Sequence, residues 1–209
     1  MTKRLAIIGA GGHGKVAADI AELVGWNEIH FFDDCPPETY PWIVKGSISD
    51  LIERLRAYDG LFVAIGNNAF RKKVLELLET HNELSLITLI HPKAVVAKSA
   101  LIKEGCLIAA SAVINPSVVI EKGCIVNTSS SIDHDCHIEQ FSHIAPGVHL
   151  SGNVKSGKNN WIGVGSTIIQ GIILADDIYL GAGSVVVKNL MSAGLYYGNP
   201  SKFQRNIKG

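Results

Sequence analysis

The residues most able to do chemistry are concentrated in the run NTSSSIDHDCH, which spans residues 127–137. His134 lies there between two carboxylates, Asp133 and Asp135. Either carboxylate could accept a hydrogen bond from the imidazole and fix its tautomer. A neutral imidazole held in this way is suited to take a proton from an attacking amine or hydroxyl group. His134 is therefore the candidate general base.

A six-residue repeat predicts which way these side chains point. Steps of six from Ile90 to Val186 give seventeen positions, of which sixteen are aliphatic and one is Ser156. Neither a single helix nor an alternating strand has this period, whereas a parallel β-helix built of short strands and corners does. Three hexads make one coil of a triangular prism, so residues eighteen apart should stack about 4.8 Å from each other.

The repeat places Ile132 and Cys136 inside the prism and turns His134 outward at a corner. Gly152 follows His134 by eighteen residues and should lie beside it in the next coil. A backbone N–H at Gly152 could donate to a developing oxyanion. The hypothesis is a general base and an oxyanion donor in adjacent coils.

The same geometry argues against a metal site in this cluster. Cys136 faces inward while His134 faces outward, so the two cannot bind one ion. The other histidines, His137, His143 and His149, are six apart and should fall on three different faces.

A second candidate site lies in the first ninety residues. The apolar run Leu5–Ile8 ends in GAGGHG, residues 9–14, and helical spacing follows it. This is the glycine fingerprint of dinucleotide-binding folds, in which phosphate approaches backbone N–H groups at a helix N-terminus. Asp33 ends the next predicted strand, about twenty residues on, as that fingerprint requires. Only about four strands are predicted, which is enough for half of a dinucleotide site and leaves no second mononucleotide unit. A nucleotide sugar therefore fits better than NAD.

These patterns predict two domains of different architecture. Residues 1–90 alternate strands and helices, which predicts a small parallel, Rossmann-like α/β sheet. Residues 91–209 predict the parallel β-helix. The segment from Tyr196 to Gly209 is expected to leave the prism and either cap its end or close over a cofactor. The predicted strands of the first domain are Leu5–Ile8, Ile29–Phe32, Leu61–Ile65 and Leu84–Ile90, and the predicted helices are Lys15–Val24, Ser49–Ala57 and Ala69–Leu78.

Composition excludes several classes of function. Nineteen basic and nineteen acidic residues leave no net charge, which disfavours nucleic-acid binding. No run reaches the ~18 apolar residues of a membrane span, so membrane insertion is not expected. Four cysteines without an export signal predict reduced thiols in a cytoplasmic protein.

Several motifs together resemble one known family. They are GAGGHG, Asp33-Asp34, AIGNN at residues 64–68 followed by Arg71-Lys72-Lys73, NTSSSIDHDC, and FSHIAPG at residues 141–147. The chain resembles the sugar O- and N-acetyltransferases that carry a small nucleotide-binding domain ahead of a left-handed β-helix. Among them it looks most like the UDP-4-amino-sugar N-acetyltransferase of the bacillosamine pathway. The left hand comes from this resemblance, since parallel crossovers are otherwise right-handed.

The resemblance implies acetyl transfer from acetyl-CoA to the 4-amino group of a UDP-linked 6-deoxy amino sugar, without a metal. His134 would be the general base, assisted by Asp135. The relatives carry Glu at that position, so whether the shorter Asp135 reaches the imidazole directly is open. His143 would lie near the thioester, and Val164 and Ala182, eighteen apart, would contact acetyl-CoA in turn.

The remaining implied contacts lie in the first domain. Gly11, Gly12 and His13 of the glycine loop would bind the phosphates. Asp33 and Asp34 would contact the uracil and the ribose. Gly66 would contact a further part of the substrate. Family members are homotrimers with active sites between adjacent β-helices, which would bring His143 of one chain near His134 of another.

Two other functions stay open at this point. One is O-acetylation of sialic acid or of a similar sugar hydroxyl, with the same base. The other is a non-catalytic module that senses NAD(P) or nucleotide sugars and uses the β-helix to form trimers. The sequence also leaves open UDP, GDP or dTDP as the nucleotide, and the stereochemistry of the acceptor.

Overall fold

The computed structural model describes residues 3–81 and 85–207, and the chain divides into two compact units between Pro92 and Lys93. The first unit is a parallel sheet with helices. Its elements are β1 (Arg4–Ile8), α1 (Gly12–Leu23), β2 (Glu28–Phe32), β3 (Ile43–Gly46), α2 (Ile48–Ile52), a 3₁₀ turn (Leu55–Ala57), β4 (Gly60–Val63), α3 (Asn68–Glu79) and β5 (Leu89–Ile90).

The sheet of the first unit has the strand order β3-β2-β1-β4, and all its pairs are parallel. Ile7 pairs with Phe31 on one side and with Phe62 on the other, and all three are almost completely buried. Such continuous apolar strands are typical of a sheet that is covered on both faces. The chain leaves β1 to one side for β2 and β3 and returns to the other side for β4, so β1 and β4 flank a switch point. In open α/β sheets, ligands bind at the carboxyl ends of the strands at this point.

The sheet differs from the prediction at its edges. Ile43–Gly46 is an edge strand that the sequence did not reveal, because its apolar residues are only the adjacent pair Ile43 and Val44, and Ile43 is 59% exposed. The predicted strand Leu84–Ile90 contributes only a bridge between Leu61 and Leu86, followed by β5. Leu84 itself lies outside the described residues.

The second unit consists of short parallel strands joined by corners. The strands are β6 (Val95–Val96), β7 (Leu101–Ile102), β8 (Leu107–Ile108), β9 (Val113–Ile114), β10 (Val119–Ile120), β11 (Ile125–Val126), β12 (Ser131–Ile132), β13 (His137–Ile138), β14 (His143–Ile144), β15 (His149–Leu150), β16 (Lys155–Ser156), β17 (Trp161–Ile162), β18 (Thr167–Ile168), β19 (Ile173–Leu174), β20 (Ile178–Leu180), β21 (Val185–Val186), β22 (Gly194–Gly198) and β23 (Ser201–Arg205).

Every third strand stacks on the same face of a prism. Face one contains β7, β10, β13, β16 and β19; face two contains β8, β11, β14, β17, β20, β22 and β23; face three contains β6, β9, β12, β15, β18 and β21. The register is eighteen residues, as between Ile120 and Ile138. The aliphatic residues of the repeat from Ile108 to Val186 point inward and are at most 2% exposed. The predicted prism of three hexads per coil is confirmed.

Ser156, the one polar residue of the repeat, belongs to a hydrogen-bond network inside the prism. Its hydroxyl accepts from the side-chain amide of Asn160 (2.9 Å), and both residues are buried. The Asn160 amide also donates to the Ala175 carbonyl (2.9 Å), and its oxygen accepts from the Ile178 N–H (2.7 Å). A serine fits at this position because the Asn160 side chain fills the space and needs a partner.

The C-terminal segment extends face two before it turns back. β22 pairs in parallel with β20, where Leu195 lies opposite Tyr179. The chain therefore stays in the sheet as far as Gly198 and does not leave the prism at Tyr196. β23 then folds back antiparallel to β22.

We expect Asn160→Ala to lower the free energy of unfolding by about 2–4 kcal/mol, because it leaves the buried Ile178 N–H and Ala175 carbonyl without their partner. Lys155→Ala, on the exposed side of β16, should change it by less than about 0.5 kcal/mol. Urea unfolding at one fixed protein concentration measures both. Equal effects of the two variants would show that the internal network does not stabilise the prism.

Candidate active site

His134 lies at the corner between β12 and β13, and its side chain is 65% exposed. Its Nδ1 is 2.7 Å from Oδ2 of Asp135. Asp135 has a φ of 60°, in the left-handed region, which Asp tolerates better than most residues. The other flanking carboxylate, Asp133, instead accepts from the side chain of Asn115 in the preceding coil (2.8 Å). The shorter acidic residue therefore contacts the imidazole directly.

This contact determines the tautomer of the His134 ring. A carboxylate can only accept, so Nδ1 of a neutral ring carries the proton. Nε2 is then left with a lone pair. The ring presents a proton acceptor to solvent at an exposed corner.

Gly152 lies against the His134 ring in the next coil. A Cβ at Gly152 would be 2.7 Å from Cε1 and 2.8 Å from Nε2 of His134, so only glycine leaves room for the imidazole. The Gly152 carbonyl accepts from the Gly171 N–H (2.9 Å). Within residues 3–81 and 85–207, the Gly152 N–H donates to no protein acceptor.

His143 lies on face two and is only 6% exposed. Its Nε2 is 3.2 Å from Nδ2 of Asn127, and because an amide NH₂ only donates, Nε2 is the acceptor and Nδ1 carries the proton of the neutral ring. The Trp161 ring packs edge-on against the His143 ring, with 4.4 Å between the ring centroids. The Tyr179 ring stacks on the Trp161 ring, with 5.7 Å between the centroids. The sequence had given no role to Asn127, Trp161 or Tyr179, although the spacing of eighteen residues from His143 to Trp161 and Tyr179 predicts their stacking.

Apart from His143, which lies on face two, the predicted site residues of the β-helix occupy two different corners. Val164 and Ala182 lie two residues beyond β17 and β20, at the corner that follows face two. His134 and Gly152 lie two residues beyond β12 and β15, at the corner that follows face three. The structure brings each pair together, and it separates the two pairs by the width of one face.

The first unit has a cleft at the carboxyl ends of β1, β2 and β4. Its volume is about 170 Å³. Its walls are apolar apart from two carboxylates and a thiol, and the lining residues are Ile8, Gly9, Asp33, Asp34, Cys35, Ile48, Ile65 and Phe70.

The two aspartates of the cleft have different environments. Both oxygens of Asp33 bind backbone: Oδ2 accepts from the Ala10 N–H (2.7 Å) and Oδ1 from the Cys35 N–H (2.8 Å). It ties the glycine loop to the end of β2. Asp34 accepts one bond, from the Ile48 N–H to Oδ1 (2.9 Å), so its Oδ2 is available to a ligand with N–H or O–H groups.

The glycines around the cleft serve two purposes. A Cβ on Gly9 would lie 2.7 Å from the Ala64 carbonyl oxygen, and one on Gly14 would overlap the Gly9 carbonyl, so packing requires both. A Cβ on Gly11, Gly12 or Gly66 would meet no atom of the described residues within 4 Å. Packing does not explain these three, whereas close approach of a ligand to the backbone does.

His13 belongs to the glycine loop and is affected by the charge of Arg71. Burial, and secondarily the positive charge of Arg71, lowers the pKa of the His13 imidazole from 6.5 to about 4. His13 is therefore neutral at physiological pH. Arg71 is 1% exposed and lies in the first turn of α3, after the Asn67 cap. The sequence had included Arg71 in a motif of the resemblance without giving it a role.

Among residues 3–81 and 85–207, no three His, Cys, Asp or Glu side chains are grouped so that they could hold a metal ion. No helix in the same ranges is long and apolar enough to cross a membrane.

Comparison with known proteins relates both units to acetyltransferases. Residues 4–78 match the family described as the PglD N-terminal domain. The acetyltransferase domain of PglB from Neisseria gonorrhoeae is 38% identical and superposes with a TM-score of 0.92 over 97% of this chain and 100% of that one. PerB from Caulobacter crescentus, solved with CoA and GDP-perosamine, is 34% identical with a TM-score of 0.92 over 98% and 99% of the two chains.

The chain belongs to the left-handed β-helix sugar acetyltransferases. The predicted α/β domain and left-handed β-helix are thereby confirmed. Among curated members, UDP-N-acetylbacillosamine N-acetyltransferase of Bacillus subtilis is 36% identical over 108 residues. That match covers 49% of this chain and 50% of the relative, so the chain spans about half the length of the curated acetyltransferase it matches.

The lowered pKa of His13 predicts a pH dependence of stability. Between pH 6.5 and about 4 the unfolded chain binds a proton at this histidine and the native protein does not, so native stability should fall as the pH falls through this window. His13→Asn should remove that part of the slope. Urea unfolding of both proteins at several pH values measures it, and the two slopes should agree between pH 7 and 8. An NMR titration in which His13 protonates near 6.5 would contradict its burial.

Proposed function

We propose that the protein transfers acetyl from acetyl-CoA to the amino group of a nucleotide-linked amino sugar, with the 4-amino group of a UDP-linked 6-deoxy sugar as the preferred acceptor. The observation that carries the proposal is the His134–Asp135 pair beside Gly152: an exposed imidazole with its proton held on Nδ1 and its acceptor nitrogen free. The cleft of the first unit supplies a separate place for the nucleotide.

The relatives support an amine acceptor over a hydroxyl. The Bacillus subtilis relative is named as an N-acetyltransferase, and PerB was solved with GDP-perosamine. The PglB domain was solved with acetyl coenzyme A. The names include both a UDP and a GDP sugar. The choice of UDP for this chain follows from its resemblance to the bacillosamine enzymes.

His134 performs the proton transfer in this proposal. The amine nitrogen attacks the thioester carbonyl carbon, a C–N bond forms, and Nε2 of His134 takes the proton from nitrogen. Asp135 holds the ring in place and stabilises the imidazolium. The Gly152 N–H stabilises the oxyanion, and the C–S bond then breaks, with the proton on His134 passing to the departing thiolate.

The first unit binds the rest of the acceptor. Gly11, Gly12 and His13, at the N-terminus of α1, hold the phosphates, where backbone N–H groups and the helix dipole favour negative charge. Oδ2 of Asp34 accepts from the base or the ribose. Asp33 holds the loop through its two backbone bonds, and it also lines the cleft, where the resemblance implies a contact with the nucleotide.

The two corners of the β-helix support a trimer with active sites between chains. In the proposal, acetyl-CoA contacts His143 and the corner that contains Val164 and Ala182. That corner and the corner that contains His134 are different edges of one prism. Packing prisms around a threefold axis would bring one edge of each kind together. Four free cysteines fit a protein that works in the cytoplasm, where we place it.

Release of free thiol from acetyl-CoA tests the proposed reaction. UDP-4-amino sugars should give rapid release, GDP- and dTDP-amino sugars slower release, and sialic acid none above background. Release with sialic acid alone would make the protein an O-acetyltransferase. Nucleotide binding without thiol release from any acceptor would identify a non-catalytic sensor and contradict the proposal.

We expect His134→Ala to lower kcat by about 10²-fold or more, the range for loss of a general base. Asp135→Asn should have a smaller effect, because the ring remains but loses its orienting carboxylate. His137→Ala, at the neighbouring strand on face one, is the matched control and should stay within about threefold of the parent. Near-normal turnover of a folded His134→Ala protein would exclude His134 as the base.

Mixing two inactive variants tests whether sites form between chains. His134→Ala removes the base, and Ala182→Trp fills the corner assigned to acetyl-CoA. In randomly mixed trimers about a quarter of the interfaces would pair an intact base with an intact corner, so about a quarter of the parent activity should return. If both corners of a site came from one chain, refolded mixtures would stay inactive.

A further inference from the structure

Arg71 is the largest of the fully buried side chains in the described chain and is 1% exposed. A buried guanidinium is costly unless its charge is hydrogen-bonded and used. Arg71 is in the first turn of α3, whose cap Asn67 accepts from the Phe70 N–H (2.9 Å). The proposed mechanism gives this charge no role.

The hydrogen bonds of Arg71 hold the segment between β4 and α3. Nη1 donates to the carbonyls of Ile65 (2.9 Å) and Gly66 (3.0 Å), and Nη2 donates to Oδ1 of Asn68 (3.0 Å). Charge-assisted bonds from one planar group to three acceptors leave little freedom to this backbone. With both carbonyls turned toward the guanidinium, the conformation of the Gly66 loop depends on Arg71.

Arg71 also holds a segment that packs against the glycine loop, since a Cβ on Gly9 would lie 3.2 Å from Cγ1 of Ile65, whose carbonyl accepts from the guanidinium. Its positive charge also contributes to the lowered pKa of His13, at the start of α1. α1 follows β1 and α3 follows β4, and these neighbouring strands flank the switch point of the sheet. Both twelve-residue helices therefore begin near the carboxyl ends of these strands, and the buried positive charge lies in the first turn of α3. Their N-terminal N–H groups and this charge favour an anion in the same place.

We propose that Arg71 is a positioning residue for the diphosphate of the nucleotide-sugar acceptor: it fixes the Ile65–Gly66 backbone against the glycine loop and supplies the permanent positive charge of the phosphate subsite. The inference rests on the proposed function, because it assumes a nucleotide diphosphate in the cleft. Arg71 acts from behind the loop and is not a catalytic residue.

His13 completes this arrangement. Burial and the nearby Arg71 charge keep the pKa of its imidazole at about 4, so the ring is neutral and cannot supply the positive charge itself. The subsite takes its charge from a group that does not titrate below pH 12. Affinity for a nucleotide sugar, whose diphosphate has no terminal phosphate group to titrate, should consequently change little between pH 6 and 8.

Calorimetric binding of nucleoside diphosphates to the full chain tests the proposal. UDP, GDP and dTDP are titrated into the parent, Arg71→Met, Arg71→Lys and Lys73→Met, which removes an exposed charge from the same helix. Arg71→Met should weaken diphosphate binding about tenfold or more. Arg71→Lys should weaken it by a smaller factor, because lysine keeps the charge but not the planar set of N–H donors of the guanidinium. Lys73→Met should weaken it less than twofold. Uridine, which lacks phosphate, should bind the parent and Arg71→Met alike.

Kinetics separate positioning from general damage to the fold. Arg71→Met should raise KM for the nucleotide sugar and leave KM for acetyl-CoA, and kcat at saturation, within about threefold. The His13 titration should move to higher pH in Arg71→Met, because the neighbouring charge is gone. If Arg71→Met instead lowered kcat and raised both KM values to a similar extent, Arg71 would have only a structural role and the proposal would be overturned.

A parent protein that binds no diphosphate would remove the nucleotide acceptor itself, whereas equal binding by the parent and Arg71→Met would overturn only the role of Arg71. If Arg71→Met does not fold, diphosphate binding by Arg71→Lys and NMR spectra of the parent protein test the role of Arg71 instead. UDP, unlike uridine, should shift the Gly66 amide and the Arg71 Nε–H signals together. Unshifted signals, or Arg71→Lys binding as tightly as the parent, would contradict the proposal.

Discussion

The burial of one aliphatic side chain in every six residues is the constraint on which the rest of the β-helix depends. Each buried residue stacks on the residue eighteen positions away, so every coil copies the path of the one before it. Strands of two residues would be unstable alone, but here each is hydrogen-bonded in a continuous stack. Where the internal side chain is the polar Ser156, the buried Asn160 restores both the volume and the hydrogen bonds.

The same constraint positions the site. Because Ile132 and Cys136 must point inward, His134 between them must point outward, and the eighteen-residue register places Gly152 against its ring. The corner turns through a left-handed residue at Asp135, which is also the residue that contacts the imidazole. The path of the chain and the orientation of the His134 imidazole are thus set by the same corner.

The first unit uses a different principle, in which a parallel sheet brings loops together at a switch point. The glycines divide into those that packing requires and those that leave the backbone open to a ligand. Polar side chains behind the loops, Asp33 and Arg71, hold them in place through bonds to backbone atoms. These bonds hold the backbone around a cleft whose walls are mostly apolar side chains.

The sequence by itself determined the prism, the outward turn of His134 and its nearness to Gly152, because a period of six allows only one assignment of inside and outside. It also determined the α/β class of the first unit, although the edge strand Ile43–Gly46 has no continuous apolar run that could reveal it. Only the tertiary structure decided which carboxylate holds the imidazole, since both flank it in sequence. It also decided that Asp33 binds backbone and that Arg71 is buried behind the cleft, because such contacts join loops that are far apart along the chain.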